Sequence, residues 1–170
     1  MMNLAPEIEN WLSESGWHRD RRVEVASVVP KAHPAHAVLE SLDGLSLYQT
    51  HDCGLNADPI CEIRFAPLDF EATDIYGWSQ TLRTELIGIG GGHNDHEQVF
   101  VDSAGRIFAA SLIHDAFYFR GDSINDYLLG LMSGRRARPM LRPGQTTVML
   151  YGVQYSRDDP EVYPNANWAG

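Results

Sequence analysis

The apolar residues of this chain change their spacing along the sequence, from a helical period of about 3.6 residues to a strand period of two and back. The most regular helical stretch begins at Ser123, a predicted N-cap, and ends at Gly134. Its apolar residues follow the i, i+3, i+4, i+7, i+8 pattern and are Ile124, Tyr127, Leu128, Leu131 and Met132. Such a stripe predicts a helix with one buried face, which must pack against the strands.

Three further stretches have the same helical spacing. The first covers residues 6–16 and the second covers residues 34–44, and each opens with a proline and closes with a glycine. The third covers residues 74–86 and is expected to use Thr73 as its N-cap. The chain therefore predicts four helices.

Between these helices apolar residues alternate with polar ones, as in strands with one buried face. Residues 61–65 show this alternation, and residues 99–110 predict a hairpin whose turn ends in Gly105. Other strands are predicted at residues 45–48, 113–119 and 146–151. Together these elements predict an α+β fold, in which a mainly antiparallel sheet packs against the helices of a single domain.

A break in the pattern at residues 135–144 sets the expected end of this domain. The segment combines four arginines with two prolines and a glycine. We therefore predict a compact domain over residues 1–144 and a C-terminal extension over residues 145–170. The extension begins with the last predicted strand, which could join a sheet edge. From Ser156 it continues as a loose tail that can be removed without loss of folding.

The charge of the chain is concentrated in its middle. The sequence has 13 Lys and Arg against 23 Asp and Glu, a formal net charge of -10. Residues 43–126 contain 14 of the acidic residues and only four of the basic ones, so they account for the whole excess. This charge predicts repulsion from nucleic acid and anionic membranes, and attraction of a basic partner. The alternative is that the acidic surface only keeps the protein in solution.

The two cysteines and the first ten residues predict the cellular compartment of the protein. The two cysteines, Cys53 and Cys61, are expected to be reduced thiols in the cytoplasm, with a disulfide between them as the alternative. The opening MMNLAPEIEN is acidic and lacks the basic and apolar regions of a signal peptide. No run of about 18 apolar residues is present, so we expect no membrane-spanning segment.

Residues 88–96, with the sequence GIGGGHNDH, form the most unusual local pattern. We expect a mobile loop there, whose glycines allow positive φ angles. A phosphate-binding loop is not predicted, because the run lacks the GxxxxGK[ST] pattern. The competing interpretation is a metal-dependent hydrolase in which His93, Asp95 and His96 hold a divalent ion. Further ligands could come from His51, Asp52, Cys53 or Cys61.

No other pattern is typical of catalysis. His114 and Asp115 could form a base with its orienting carboxylate, but neighbours on a predicted strand point to opposite faces. The GxSxG and CxxC patterns are both absent. The sequence therefore predicts a protein without catalytic activity, cofactor or bound metal.

Six short motifs occur in the order found in one family of bacterial immunity domains. Residues 12–23 contain the pattern L-x-x-x-G-W-x-x-x-R-x-V, and residues 99–108 contain a hairpin with a D-x-x-G-R turn. The other motifs are LESLDGL at residues 39–45, IRFAP at residues 63–67, LIGIG at residues 86–90, and the last helix with Gly134. Over residues 8–134 the chain thus resembles the third subgroup of the SUKH superfamily.

The resemblance implies a SUKH-like α+β domain that binds and inhibits a toxin encoded beside it, commonly a nuclease or deaminase of a polymorphic toxin system. It implies no catalytic residue in this chain. Toxins that act on nucleic acid tend to be basic, so it also gives the acidic middle segment a role in association. Superfamily relatives that regulate cell-wall synthesis leave a regulatory or scaffolding module as a further alternative.

We expect acidic residues of the middle segment to recognise the partner toxin. Loops carry binding residues more often than helices or strands do, and residues 50–59 have no counterpart in the family pattern. The predicted contact residues are Asp43, Asp52, Asp58, Glu62, Asp69, Glu71, Asp74, Asp95 and Glu97. The last two are expected to lie in the glycine-rich loop. A homodimer is left open.

Overall fold

The computed structural model describes residues 2–49, 61–68, 74–92 and 96–164. Within these residues the helices are α1 (Pro6–Glu14), α2 (Pro34–Leu42), α3 (Ile75–Leu82) and α4 (Ile124–Ser133). The strands are β1 (Ser46–Gln49), β2 (Cys61–Phe65), β3 (Leu86–Gly92), β4 (Glu97–Asp102), β5 (Ile107–Ser111), β6 (Ala116–Gly121), β7 (Arg138–Met140), β8 (Thr147–Leu150) and β9 (Val153–Ser156). None of these helices is both long and apolar enough to cross a membrane.

Strands β1 to β7 form one antiparallel sheet, and their order across the sheet is their order along the chain. Strands β8 and β9 form a separate antiparallel hairpin. The predicted α+β fold with a mainly antiparallel sheet is therefore confirmed. The hairpin predicted at residues 99–110 is formed by β4 and β5, and Gly105 lies in its turn with a φ of 86°.

The two faces of the sheet are covered by different helices. On the face that we call the inner face, side chains such as Val99 and Val101 form the main core with apolar residues of α1, α2 and α4. On the opposite, outer face, Phe100 and Phe108 pack with Trp78 of α3. Consecutive side chains of a strand point to opposite faces, so β4 contributes to both cores.

The last helix has the ends that the sequence predicts. The Ser123 hydroxyl accepts a hydrogen bond from the Asp126 N–H at 3.1 Å, as an N-cap does. Gly134 ends the helix in the left-handed conformation, with a φ of 65°. Both capping predictions for α4 are therefore confirmed.

The third helix is shorter than predicted. Instead of covering residues 74–86 it ends at Leu82, after which Arg83 adopts the left-handed conformation with a φ of 54°. Asp74 is its N-cap, because the Asp74 carboxylate accepts a hydrogen bond from the Gly77 N–H at 2.9 Å. The predicted cap, Thr73, lies outside the described residues. Leu86 does not belong to the helix but begins β3.

The glycine-rich run forms a strand, so the prediction of a loop at residues 88–92 is wrong. These residues belong to β3, which pairs with β2 on one side and β4 on the other. A Cβ atom on Gly90 would lie 2.4 Å from the backbone oxygen of Arg64 in β2, and one on Gly92 would lie 2.7 Å from that of Glu62. The glycines therefore permit close approach of two strands rather than chain flexibility.

A turn at residues 112–115 separates β5 from β6, where a strand over residues 113–119 is predicted. Asp115 has a φ of 46° in this turn, a conformation that aspartate tolerates better than most residues. His114 and Asp115 are thus turn residues and not neighbours on a strand. The strand itself begins three residues later than predicted, at Ala116.

The C-terminal hairpin packs on the main core. Strand β8 pairs with β9 rather than with an edge of the seven-stranded sheet. Val148 and Leu150 of β8 and Tyr155 of β9 are buried in the main core. The division of the chain at residue 144 stays a prediction. Residues 147–156 nevertheless contribute apolar side chains to the same core as α1, α2 and α4.

The segment after β9 is also attached to the sheet. Val162 is buried, and the Tyr163 ring stacks on Phe119 with ring centroids 4.1 Å apart. The Tyr163 N–H donates a hydrogen bond to the carbonyl of Pro139 in β7 at 2.9 Å, and Arg138 donates one to the carbonyl of Val162 at 3.0 Å. Because of these contacts we expect the segment to stabilise the fold, whereas the sequence predicts a loose tail.

Truncation after Ser156 is expected to lower the free energy of unfolding by about 2 kcal/mol, because it exposes the pocket of Val162 and one face of Phe119. The measurement is urea unfolding followed by circular dichroism. Truncation after Pro164 keeps both side chains and is the control. Equal stability of the two truncated proteins would show that the tail is dispensable, as the sequence predicts.

Candidate functional site

One end of the sheet gathers the turns and chain breaks of the acidic middle segment. Register places Ile63 opposite Gly92, Gly92 opposite Glu97, Glu97 opposite Ser111, and Ser111 opposite Ala116. These residues therefore lie at the same end of β2 to β6, which we call the loop end. The Leu112 N–H donates to the carbonyl of His96 at 2.9 Å and fastens the turn 112–115 to the start of β4.

Five of the nine predicted contact residues lie outside the described residues. They are Asp52, Asp58, Asp69, Glu71 and Asp95. The segments that contain them, 50–60, 69–73 and 93–95, include no lysine or arginine. The first and third of these segments connect strands at the loop end, since they follow Gln49 and Gly92.

The other four predicted contact residues do not form one surface. Asp74 is exposed at the N-terminus of α3, and Glu62 is half-buried on the outer face, where it lies opposite Tyr48. Asp43 lies at the other end of β1, where its carbonyl accepts a hydrogen bond from Arg21 at 2.6 Å. Glu97 lies at the loop end but is only 3% exposed. Of the four, Asp74 and Glu62 have access to solvent near the loop end.

Glu97 belongs to a buried polar cluster on the inner face. Its carboxylate accepts hydrogen bonds from the Tyr118 hydroxyl at 2.7 Å and from the Arg120 guanidinium. The Arg120 side chain is also nearly fully buried and lies over the Tyr118 ring. Sequence reasoning places Glu97 in a loop and gives Arg120 no role, because it predicts a strand that ends at Phe119, one residue before Arg120.

The ionisation of this cluster follows from its burial. Burial raises the pKa of the Tyr118 hydroxyl well above its ordinary value, and the negative charge of Glu97 adds to the rise. For Arg120, burial alone would lower the pKa, but the Glu97 carboxylate and three neighbouring tyrosines together outweigh burial and raise the pKa well above its ordinary value. The cluster therefore contains a neutral tyrosine and a charged arginine, held as a structural unit inside the protein.

A groove runs along the outer face beside α3 and reaches the loop end. Its two parts have volumes of about 330 and 100 Å³, and Trp78, Phe117, Asp115 and Arg142 line both of them. The rings of Trp78 and Phe117 stack with centroids 4.4 Å apart and form the floor. Met140 adds a fully buried side chain to the larger part.

The rim of the groove carries charges of both signs. The Arg142 guanidinium donates to the Asp74 carboxylate at 2.6 Å and lies 5.1 Å from the centroid of the Trp78 ring. The hydrogen bond from the Gly77 N–H, and then the Arg142 guanidinium, lower the pKa of Asp74. Within the described residues no cation pairs with Asp115, the other acid of the rim.

Two apolar residues stand exposed beside this rim. Leu112 lines the smaller part of the groove and is 40% exposed, and the next residue, Ile113, is 61% exposed. Sequence reasoning missed both, because it assigned Ile113 to a strand and Leu112 to no element. It missed the groove because Trp78, Phe117 and Arg142 come from distant parts of the chain. Two large aliphatic residues directly before His114 and Asp115 are the signal that could have indicated an exposed turn.

The proposed metal ligands cannot be assembled from the described residues. Among these residues no group of three or more His, Cys, Asp or Glu side chains could hold a metal ion. His96 is exposed at the start of β4, whereas His93 and Asp95 lie outside the described residues. The described part of the chain therefore offers a groove and a charged rim, and neither a nucleophile beside a base nor a ligand cluster.

Comparison with known proteins gives one match. A family model described as SUKH-3 immunity protein matches residues 4–134, which include every helix and all of β1 to β6. No curated protein matches the chain, and no solved structure does. Strands β7 to β9 and the segment that carries Tyr163 lie beyond the matched residues.

Proposed function

The chain belongs to the SUKH-3 immunity protein family, and on this premise we propose that it binds and neutralises a cognate toxin domain without catalysing a reaction of its own. The match over residues 4–134 is the observation that carries the proposal. We propose further that the toxin is a nuclease or a deaminase of a polymorphic toxin system. A substrate of these enzymes is polyanionic nucleic acid, so their binding surfaces tend to be basic.

The charge of the chain supports a basic partner. Its formal net charge is -10, and the excess lies entirely within residues 43–126. Oppositely charged surfaces speed the encounter of two proteins by roughly 10- to 1000-fold, and dissolved salt screens the effect. Segments 50–60 and 93–95, which connect strands at the loop end, contribute three acidic residues and no lysine or arginine.

We propose that the acids near the loop end contribute most to recognition. Asp74 and Glu62 support this, since both have access to solvent on the outer face. The acids of residues 50–60, 69–73 and 93–95 stay part of the proposal on the strength of the sequence. Glu97 is left out of the contact surface because its carboxylate is buried and bonded to Arg120.

A cytoplasmic location also belongs to the proposal. It rests on the low cysteine content, two residues in 170, which is typical of proteins kept in a reducing compartment. An inhibitor of a nuclease or a deaminase acts where the toxin meets nucleic acid. The cytoplasm is that compartment in a bacterium.

Reversing three loop charges, Asp52→Lys, Asp58→Lys and Glu71→Lys, is expected to slow association with the toxin domain encoded beside this chain by about tenfold at low salt. At high salt the difference from the wild type should vanish, because exposed charges are then screened. Stopped-flow mixing at two ionic strengths measures the association rates. Because the sequence predicts surface loops at these three positions, thermal melting of the variant should change little, by the equivalent of less than about 0.5 kcal/mol.

The control is a triple variant with the same change of net charge elsewhere. Glu14, Asp20 and Glu24 are exposed and lie outside residues 43–126. Their reversal to lysine should leave the association rate within about twofold of the wild type if the charge acts locally. Equal slowing in both triple variants would mean that only total charge matters. If the wild type neither binds the toxin domain nor inhibits it, the proposed function is wrong.

A further inference from the structure

We infer that the groove beside Trp78 and the adjoining turn 112–115 receive a segment of the toxin domain in which a basic side chain lies next to an apolar one. This inference rests on the proposed function and assigns the partner contact to a place in the fold. The four residues that line both parts of the groove, Trp78, Phe117, Asp115 and Arg142, together with Leu112 and Ile113, define what we call the Trp78 surface.

The floor of the Trp78 surface is apolar and well packed. Trp78 and Phe117 are 4% and 2% exposed, and their stacked rings are supported from below by Phe108, whose ring stacks on Phe117 at 5.7 Å. A floor of this kind keeps its shape when a partner arrives, so binding costs little ordering of this chain. The residues that dominate protein interfaces usually fill pockets with such walls.

The turn next to the groove exposes aliphatic side chains that its geometry does not require. Turns favour glycine, asparagine, aspartate, serine and proline, each for a backbone reason. Leu112 and Ile113 have no such reason, and they leave 40% and 61% of their surface in water. Covering the exposed part of such a side chain contributes favourably to binding, because it removes apolar surface from water. A partner that covers Ile113 would gain this contribution without any rearrangement of the turn.

The rim selects a cation. The Arg142 guanidinium lies against the Trp78 ring and pairs with the Asp74 carboxylate, so Asp115 is the acid of the rim that remains for a cation of the partner. Asp115 lines both parts of the same groove, and it forms no salt bridge with another described residue. An arginine or lysine of the partner would pair with Asp115 beside the aromatic floor.

The charge of the chain favours the toxin over a second copy of this protein as the occupant. The acid-rich segments 50–60 and 93–95 connect strands at the loop end, where the turn 112–115 also lies. A second copy docked there would bring the same acids against them, and like charges across an interface are unfavourable. A basic partner meets complementary charge at the same place.

Two variants test the inference by titration calorimetry with the purified toxin domain encoded beside this chain. Ile113→Ser removes the exposed aliphatic group, and Asp115→Asn removes the charge while keeping a residue that tolerates the left-handed backbone. Each is expected to raise the Kd about tenfold or more, and the double variant about 100-fold. Both positions are exposed, so melting temperatures should stay close to that of the wild type.

Matched controls lie on the other side of the sheet. Val28, which is 82% exposed, and Asp20 belong to the segment between α1 and α2, which packs with the main core. Val28→Ser and Asp20→Asn should bind the toxin domain as the wild type does. If Ile113→Ser and Asp115→Asn bind as tightly as these controls while the wild type binds and inhibits, the Trp78 surface is not the contact and the inference fails, although the proposed function stands.

Sedimentation of the protein alone tests the other possible occupant of the Trp78 surface, a second copy of this chain. The inference expects a wild type that stays monomeric at the concentrations used for binding. A wild-type dimer that Ile113→Ser converts to a monomer would identify a second copy as the occupant and overturn the assignment to the toxin. Absence of any binding or inhibition by the wild type would remove the proposed function and the inference together.

Discussion

Replacement of Glu97 by glutamine is expected to lower the free energy of unfolding by about 3–5 kcal/mol, because it leaves the buried guanidinium of Arg120 without its counter-charge. Glutamine has the shape of glutamate, so the loss reports charge and hydrogen bonding rather than a cavity. The Arg120 Nε has no hydrogen-bond partner within the described residues, and the Tyr118 hydroxyl donates to the same carboxylate. Urea unfolding at neutral pH, followed by circular dichroism, measures the change.

Two further variants provide comparisons for the loss of stability expected of Glu97→Gln. Glu9→Gln breaks the ion pair between Glu9 and Arg19, whose side chains are 23% and 67% exposed, and should cost less than about 1 kcal/mol. The double variant Glu97→Gln and Arg120→Met removes both charges and should recover much of the loss. A Glu97→Gln protein as stable as Glu9→Gln would show that the buried pair contributes no more than an exposed one.

Replacement of Gly90 by alanine is expected to destabilise the fold by about 3 kcal/mol, at the upper end for an added methyl group. The new Cβ would lie 2.4 Å from the carbonyl oxygen of Arg64, and it would also lie 3.2 Å from Cα of Phe65. Both atoms belong to the backbone of β2, so the strands can relieve the clash only by separating. The measurement is the urea midpoint, with far-ultraviolet circular dichroism to confirm that the variant folds.

The same substitution distinguishes a strand from a loop at this position. Gly90 does not have a positive φ angle. In a mobile loop, alanine at such a position would be harmless or would stabilise by about 0.4–1 kcal/mol, because it restricts the unfolded chain. Unchanged or increased stability of Gly90→Ala would thus support the loop that the sequence predicts and contradict the close pairing of β2 and β3.

The helices and the general sheet architecture could be predicted because their signals are local. The apolar stripe of α4 lies between a serine and a glycine that cap its two ends, and each cap acts only on the helical turn next to it. The hairpin of β4 and β5 is specified by its D-x-x-G-R turn, where the Asp102 carboxylate accepts hydrogen bonds from the N–H groups of Ala104 and Arg106 at 2.9 and 2.8 Å.

The failures concern residues whose role depends on distant partners. A run of glycines is typical of loops, and only the approach of Arg64 across the sheet explains why β3 needs them. Glu97 is acidic and lies next to that run, so the sequence places it at the surface. Its partner Arg120 is 23 residues away and two strands across the sheet. No local pattern connects the two side chains.

The candidate site was predicted less well than the fold for the same reason. Acidity of the middle segment is visible in the sequence, and Asp74 is both predicted and exposed near the groove. The aromatic floor is not visible, since Trp78 and Phe117 belong to a helix and a strand that meet only in the folded protein. Charge can be counted along a chain, but a concave surface is made by its topology.

The strictly sequential order of β1 to β7 affects how quickly the newly made chain can fold. Each strand of the sheet pairs with the one that precedes it along the chain, so no connection has to pass over another strand and the entropy of closing each loop stays moderate. A sheet of this kind can form strand by strand during synthesis on the ribosome. One long-range contact joins the two ends of the matched region, where the Ala5 N–H donates to the Asn125 side chain at 2.6 Å. Only α4 has to emerge before α1 finds its place, and the domain is complete soon afterwards.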